Sequence, residues 1–365
     1  MAAAIIWATA WLCNLCIVPV LSAQEWDESN KTKHVRIRIT SDRQWLGRET
    51  ANDLERCWEY IDAATGRKLP SRVLVIIHWQ DALTAADVER GTVTIGMNDR
   101  AASANPKDYL LHTVARELGR IALIGLSDGN AAKEENRFLL DGMSEMLAHD
   151  FTNTVKRLAA AWTICHYLDK IQPLDLQKLS ARPELLCSIH DLRSASPGVT
   201  FLTQCRERFG SERTLKLFES LARKNLDQSL TTVFKAPLAW LEAQWLARVR
   251  SLDPVDITIT NPEEAPALDH INFEPNPGKP GSPLGAQLFT RDSTNDLVPA
   301  GVFVVDDSSG KVLQGSQVVS AGKRAMQFSI PIESARQDGR YRLRLVAVDE
   351  GGNVRNWETF YTVAR

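Results

Sequence analysis

The stretch that decides the fold is Thr113–Leu123, which reads T-V-A-R-E-L-G-R-I-A-L. Its apolar residues recur at three- and four-residue spacing, which predicts a helix with a buried side. Charged residues interrupt this pattern at Arg116, Glu117 and Arg120. Arg116 and Arg120 are four residues apart and therefore share one helix face. Because apolar residues surround them, we expect these charges to be partly buried and to need partners.

The same stretch resembles a metal-binding motif. With His in place of Arg116 and Arg120 it would read V-A-H-E-L-G-H-I-A-L, the zinc-binding helix of the zincins. In that motif the two His bind zinc and the Glu between them is the general base. The resemblance therefore makes Glu117 a vestigial general base. Arginine stays protonated and offers no lone pair to zinc, so we expect no metal and no cofactor at these positions.

A second segment extends the resemblance. Phe138–Leu147 reads F-L-L-D-G-M-S-E-M-L, which is similar to the segment W-L-x-E-G-x-A-E-Y-L that supplies the third zinc ligand in gluzincins. Asp141 stands at that ligand position. Over about Val35–Arg250, the chain thus resembles the peptidase MA-like, gluzincin-type domains. It departs from them at all three former metal-ligand positions, which are Arg116, Arg120 and Asp141.

Periodicity predicts the elements of this region. Near-continuous or alternating apolar residues predict strands, and apolar residues at helical spacing predict helices. The predicted strands are His34–Thr40, Arg72–Trp79 and Gly91–Asn98. The predicted helices are Leu46–Ile61, Lys107–Ile124, Glu134–His149 and a helical region over Thr154–Leu252, in which Trp240 and Trp245 are expected to anchor the core.

The pattern changes from Ile257 onwards. Short alternating runs separated by Pro, Gly, Asn and Asp predict a β-sandwich. Gly339–Asn353 resembles the penultimate strand and turn of Ig-like or fibronectin type III-like modules. The predicted fold class is α+β: a zincin-like mixed sheet with a helical subdomain at 24–254, followed by an all-β Ig-like sandwich at 255–365.

The N-terminus predicts export. Met1–Ala23 carries no charge and ends on Leu21-Ser22-Ala23, which suits a cleavage site, so 1–23 is interpreted as a signal peptide. The alternative is an uncleaved membrane anchor, the one case in which we expect a membrane association. The expected location is periplasmic or extracellular. A formal net charge of −2 argues neither for a nucleic-acid partner nor for a membrane surface, and we expect no nucleic-acid partner.

Four cysteines follow the predicted signal peptide: Cys57, Cys165, Cys187 and Cys205. In an exported protein they permit two disulfides in three connectivities. Four buried free thiols are the alternative.

Charge suggests what replaced the metal. Arg116 and Arg120 bring the same charge as Zn²⁺, and a guanidinium matches a carboxylate well. We therefore expect an ion-pair network of Arg116 and Arg120 with Asp141. The function expected is that of a catalytically inactive pseudopeptidase with a binding or structural role, whose partner is a peptide or an envelope or extracellular protein.

The alternative function is an active metal-dependent peptidase or hydrolase that uses a non-standard metal site. Zinc is a cofactor only under this alternative. Its ligands would be His112, His149 and Glu145, although a structural role is commoner for each histidine.

Overall fold

The structure is a computed structural model. It describes residues 26–27, 30–66, 68–78, 85–97, 106–176, 192–252, 267–274, 284–291, 297–307, 310–314, 316–320, 325–332, 338–349 and 353–364. Several predictions fall outside these ranges: the signal peptide at 1–23, Cys187, the strand at 257–260 and the domain boundary at 253–266.

The N-terminal part contains a mixed sheet in the order β1-β2-β3-β5-β4. Its central strands β2, β3 and β5 are parallel, and β1 and β4 pair antiparallel at the edges. Alternate residues of β3 are buried, so one face of the sheet carries the core. The strands are β1 (Trp26–Asp27), β2 (Val35–Thr40), β3 (Val73–His78), β4 (Ala85–Asp87) and β5 (Thr92–Gly96).

Two helices pack on the sheet, and the remaining helices follow them along the chain. Helices α1 and α2 pack on each other, α1 also contacts β2, and α2 contacts β4 and β5. The helices are α1 (Gln44–Ala64), α2 (Pro106–Leu126), α3 (Arg137–Thr152), α4 (Val155–Ile171), α5 (Leu192–Phe209), α6 (Ser211–Leu221), α7 (Leu226–Phe234) and α8 (Leu238–Ser251). No helix in these described ranges is both long and apolar enough to cross a bilayer.

Helix α3 lies at the centre of the helical layers. Every residue of α3 from Phe138 to His149 is buried, because α2 packs against one side and α5 against another. The backbones of α3 and α5 touch at Gly142 and Gly198. A Cβ on Gly142 would lie 2.3 Å from the carbonyl carbon of Gly198, and one on Gly198 would lie 1.9 Å from the carbonyl oxygen of Phe138. The crossing therefore requires both glycines.

The C-terminal part forms two antiparallel sheets, β10-β11-β7-β6 and β13-β12-β8-β9. The sheets contact each other, and the rings of Phe273 and Tyr361 lie 5.7 Å apart across them. Stacking of Tyr167 on Phe303, at 5.2 Å, joins α4 to β8. The strands are β6 (Ala267–Glu274), β7 (Leu284–Arg291), β8 (Leu297–Asp306), β9 (Lys311–Gln314), β10 (Ser316–Ser320), β11 (Ala325–Ile332), β12 (Gly339–Asp349) and β13 (Val354–Val363).

The α+β class is confirmed, and each predicted strand and helix up to His149 overlaps an observed element of its type. One core prediction is wrong. Trp245 is fully buried and donates from Nε1 to Thr200 Oγ1 at 3.0 Å, but Trp240 is 37% exposed. A separation of five positions along a helix corresponds to a rotation of about 140°, so only one of the two tryptophans faces the core. Arg208 covers Trp240 instead, 4.4 Å from its ring centre.

The two-disulfide interpretation is wrong for three of the four cysteines. Cys57, Cys165 and Cys205 are free and buried. Burial raises the pKa of the Cys165 and Cys205 thiols to about 12 and raises that of Cys57 further. Since the thiolate is the reactive form, these side chains are held in an inert state.

We expect these three thiols to resist alkylation in the folded protein. Iodoacetamide at pH 8, followed by peptide mapping, should leave Cys57, Cys165 and Cys205 unlabelled in buffer. The same treatment in denaturant should label all three. Labelling of any of them at the denatured rate in buffer would contradict their burial.

We expect Gly142→Ala to destabilise the protein by about 3 kcal/mol or more, the upper part of the range for overpacking. The added Cβ would meet backbone atoms, which cannot rotate away. Gly125→Ala is the matched control: Gly125 is also in a helix, but its Cβ would meet nothing closer than the Lys68 carbonyl oxygen at 3.7 Å. That change should be neutral or stabilise by up to about 1 kcal/mol. Urea unfolding of both variants tests this, and equal effects would contradict the helix crossing.

Candidate functional site

The candidate site is a ladder of polar side chains between α2 and α3. On α2 these residues recur every four positions, as do their counterparts on α3, so each set faces the other helix. The two helices run antiparallel at this contact, because Arg120 meets Asp141 whereas His112 meets Glu145 and His149. The α2 residues are His112, Arg116 and Arg120, and the α3 residues are Asp141, Glu145 and His149.

The first level of the ladder is an ion-pair cluster around Asp141. Arg120 Nη1 donates to Asp141 Oδ1, and Arg137 Nε lies 3.6 Å from Asp141 Oδ2. Arg120 Nε also lies 3.6 Å from Glu117 Oε2. The Asp141 and Glu117 side chains are 7% and 1% exposed. Without these guanidiniums, the buried negative charges would therefore lower the stability of the folded protein.

The second level is centred on Arg116. Its Nε donates to Glu117 Oε1 at 3.2 Å, and its Nη1 lies 3.9 Å from Glu145 Oε2. Burial alone would lower the pKa of Arg116, but the charges of Glu117 and Glu145 outweigh it and raise the pKa above its ordinary value. Arg116 is therefore a permanent cation in the core.

The third level contains two histidines and a carboxylate. His112 Nε2 lies 2.9 Å from Glu145 Oε1, and His149 Nε2 lies 3.5 Å from the same oxygen. Arg157 of α4 approaches it too, through Nη2 at 3.0 Å. Burial favours neutral Glu145, yet Arg157 and His112 hold its pKa well below its usual range. Burial lowers the pKa of His112 and lowers that of His149 to about 3.

Threonine hydroxyls hold the far side of both imidazole rings. His112 Nδ1 lies 3.3 Å from Thr152 Oγ1, and His149 Nδ1 lies 2.9 Å from Thr154 Oγ1. Both threonines lie where α3 ends, at Asn153, which adopts the left-handed conformation with φ of 55° that often terminates helices. The turn therefore places these two hydroxyls beside the Nδ1 atoms of the two rings.

The structure brings Arg116, Glu117, Arg120 and Asp141 together, as the sequence hypothesis requires. Arg120 pairs with Asp141, whereas the close partners of Arg116 are Glu117 and Glu145 rather than Asp141. The ladder also recruits Arg137 and Arg157, which sequence reasoning missed. Arg137 is four residues before Asp141, a spacing typical of a helical ion pair, so that contact had a signal in the sequence. Arg157 is in a separate helix and had none.

The chemistry available at the first two levels is limited by the donors present. A guanidinium has five N–H donors and no acceptor, so neither Arg116 nor Arg120 can bind a metal ion. Each can hold an anion, and each already holds a carboxylate of this chain. These levels therefore act as a buried ionic crosslink between α2 and α3.

Comparisons with known proteins add little. No family model matches this chain, and neither does any curated protein. Among solved structures, the alkylpurine DNA glycosylase AlkC of Pseudomonas fluorescens bound to DNA is 11% identical, with a TM-score of 0.25, over 71% of this chain and 82% of that one.

Two further structures, also 11% identical, give lower scores. The S-layer protein rSbsC has a TM-score of 0.17 over 87% of this chain and 46% of its own. The M60 catalytic domain with two CBM51 domains of Clostridium perfringens ZmpB has 0.19 over 91% and 44%. At such TM-scores none of the three likenesses carries an argument about fold or function.

We expect Arg120→Ala to lower the free energy of unfolding by about 3 kcal/mol, because it leaves a buried carboxylate short of a partner. Arg137 still faces Asp141, which keeps the loss at the lower end of the range for a broken buried pair. Arg56→Ala is the control, since its ion pair with Asp53 is on the surface, with the Arg56 side chain 76% exposed, and should contribute less than about 1 kcal/mol. Equal urea midpoints for the two variants would contradict the buried crosslink.

Proposed function

We propose that this protein is an exported, catalytically inactive metallopeptidase-like protein with a binding or structural role. One observation carries the proposal. The guanidiniums of Arg116 and Arg120 stand where the resembled zinc motif has its histidines, and both are paired with buried carboxylates. In the resembled motif this site binds a zinc ion, whereas here the cations are the two guanidiniums of the chain itself.

Inactivity follows from the role of Glu117 in the resembled motif. A glutamate base acts on a water molecule whose pKa a zinc ion has lowered to about 7. Here Glu117 is 1% exposed and lies against both guanidiniums. It therefore serves as their counter-ion, and the family mechanism has no site at which to operate.

The proposal includes the finer fold. A mixed sheet followed by the α2–α3 pair supports a zincin-like, gluzincin-type domain. The two contacting antiparallel sheets support an Ig-like or fibronectin type III-like sandwich, in which β12 and β13 form the expected hairpin. With the predicted signal peptide at 1–23, these features favour a periplasmic or extracellular protein that binds a peptide or an envelope or extracellular protein.

A second candidate function is hydrolysis at a non-standard metal site. The observation in its favour is the cluster of His112, Glu145 and His149, whose ligand atoms lie within 4.8 Å of one another. Burial argues against it. The three residues are 6%, 0% and 8% exposed, which leaves no access for a peptide substrate.

Rebuilding the motif tests the proposed ancestry. We expect the triple variant Arg116→His, Arg120→His, Asp141→Glu to bind about one further equivalent of zinc, because it restores the three protein ligands of a gluzincin site. The control is Arg116→Gln, Arg120→Gln, Asp141→Glu, which removes the same charges without adding nitrogen ligands. Zinc held elsewhere in the chain is common to both variants and cancels in the comparison.

Two results would count against the proposal. Equal zinc uptake by the two triple variants would mean that the α2–α3 geometry is not that of a zincin site. Peptide hydrolysis by the natural sequence that disappears in Glu117→Gln would mean that the protein is an enzyme. Fluorogenic peptide libraries provide the second measurement.

A further inference from the structure

The third level of the ladder contains a set of donor atoms with the dimensions of a metal site. Around a tetrahedral zinc ion with bonds of about 2.0–2.2 Å, neighbouring ligand atoms lie roughly 3.4 Å apart. The nitrogens His112 Nε2 and His149 Nε2 lie 2.9 Å and 3.5 Å from Glu145 Oε1. All three ligand atoms lie within 4.8 Å of one another, so small side-chain adjustments would suffice to enclose an ion.

The threonine hydroxyls determine which ring nitrogen of His149 carries a proton. Thr152 Oγ1 donates its only proton to the carbonyl oxygen of Ala148 at 2.8 Å. In its contact with Thr154 Oγ1 at 2.9 Å, Thr152 must therefore accept, and Thr154 must donate. Thr154 then has no proton left, so the 2.9 Å hydrogen bond to His149 requires a proton on His149 Nδ1.

In a neutral imidazole the other nitrogen is then an acceptor, so His149 Nε2 presents a lone pair towards Glu145. His112 differs, because its Nε2 lies 2.9 Å from Glu145 Oε1, whereas its Nδ1 lies 3.3 Å from Thr152 Oγ1. The shorter contact is a hydrogen bond in which His112 Nε2–H donates to the carboxylate. A metal ion at this position would displace that proton and take the nitrogen as a ligand.

Two acceptor atoms of this group remain unused, although Arg157 and Arg116 lie close enough to balance the charge of Glu145. His149 Nε2 and Glu145 Oε2 are buried atoms without a hydrogen-bond partner, an arrangement that is costly unless something binds there. A hydrogen bond from the distal nitrogen of each histidine to an outer group is also the usual arrangement around metal-bound imidazole. Here Thr152 and Thr154 take that outer position.

We propose that His112, Glu145 and His149 bind a divalent transition-metal ion of the zinc type. The two Nε2 atoms and one or both oxygens of Glu145 are the ligands. Because the site is closed to solvent, the ion has a structural role and links α2 to α3. This site is one turn away from the positions of the resembled motif on both helices, and it shares no ligand with them.

Arg157 tunes this site. Its guanidinium donates to Glu145 Oε1 through Nε at 3.1 Å, so it positions the carboxylate but also repels a cation. Gln in its place keeps a donor and removes the charge. Arg157→Gln should therefore bind zinc at least tenfold more tightly than the natural sequence.

A second cluster, His34, Glu55 and Glu59, provides the control. Its carboxylate has partners outside the cluster's side chains, because Glu55 Oε2 accepts from the His34 backbone N–H and from Thr32. His34 also stacks on Trp58 at 3.8 Å. We expect no contribution from this cluster to tight metal binding.

The experiment is a zinc titration of the full chain, purified without a metal-affinity tag and stripped with a chelator. We expect one equivalent to bind and the melting temperature to rise, since the ion binds the folded state. His112→Ala and His149→Ala should each weaken binding at least 100-fold, whereas His34→Ala should leave it unchanged. Circular dichroism reports whether each variant is folded.

Co²⁺ provides a second measurement if a histidine variant fails to fold. Its visible absorption in the natural protein should show tetrahedral coordination with nitrogen ligands, and Arg157→Gln should reach the same spectrum at lower Co²⁺ concentration. The proposal is overturned if the stripped protein binds no zinc, or if His149→Ala or Arg157→Gln binds zinc as the natural protein does. None of these results depends on whether the protein is a former peptidase, because the rebuilt-motif variants test different residues.

Discussion

The constraint on which the helical region depends is that charges buried between α2 and α3 must be neutralised. Four guanidiniums, those of Arg116, Arg120, Arg137 and Arg157, meet three carboxylates beside the apolar core. A lone charge in such a place would cost several kcal/mol. In the observed position of the two helices, each carboxylate of the ladder lies beside a cation.

Much of the fold could be predicted because periodicity records burial. The alternation of β3 and the apolar spacing of α2 are local properties, and each gave the right element within a few residues. Partner choice is not local. Whether Arg116 turns to Asp141 or Glu145 depends on how α3 is set against α2, and Arg157 enters from a helix that the motif does not include. The prediction that Trp240 anchors the core was wrong for a similar reason, since residue type alone does not tell which of two tryptophans faces the core.

An ionic crosslink and a metal crosslink can fill the same space with different consequences. Zinc in a catalytic site keeps an open coordination position and activates water, whereas zinc in a closed site only joins its ligands; guanidinium brings directed donors and permanent charge. At the first two levels of the ladder, only guanidinium groups link the helices. The third level has neutral imidazoles and a carboxylate, the donor types that zinc prefers. The helix pair thus carries two kinds of crosslink, one above the other.

The backbone contact of Gly142 with Gly198 has a consequence for how such a scaffold can change over evolutionary time. Helix α3 cannot slide along its axis or rotate, because α5 holds it at this crossing. Residues one turn apart nevertheless lie on the same facing surfaces of α2 and α3. Point substitutions can therefore change which side chains meet between the two helices while both backbones keep their positions. Evolutionary change at this interface is thus restricted to the side chains.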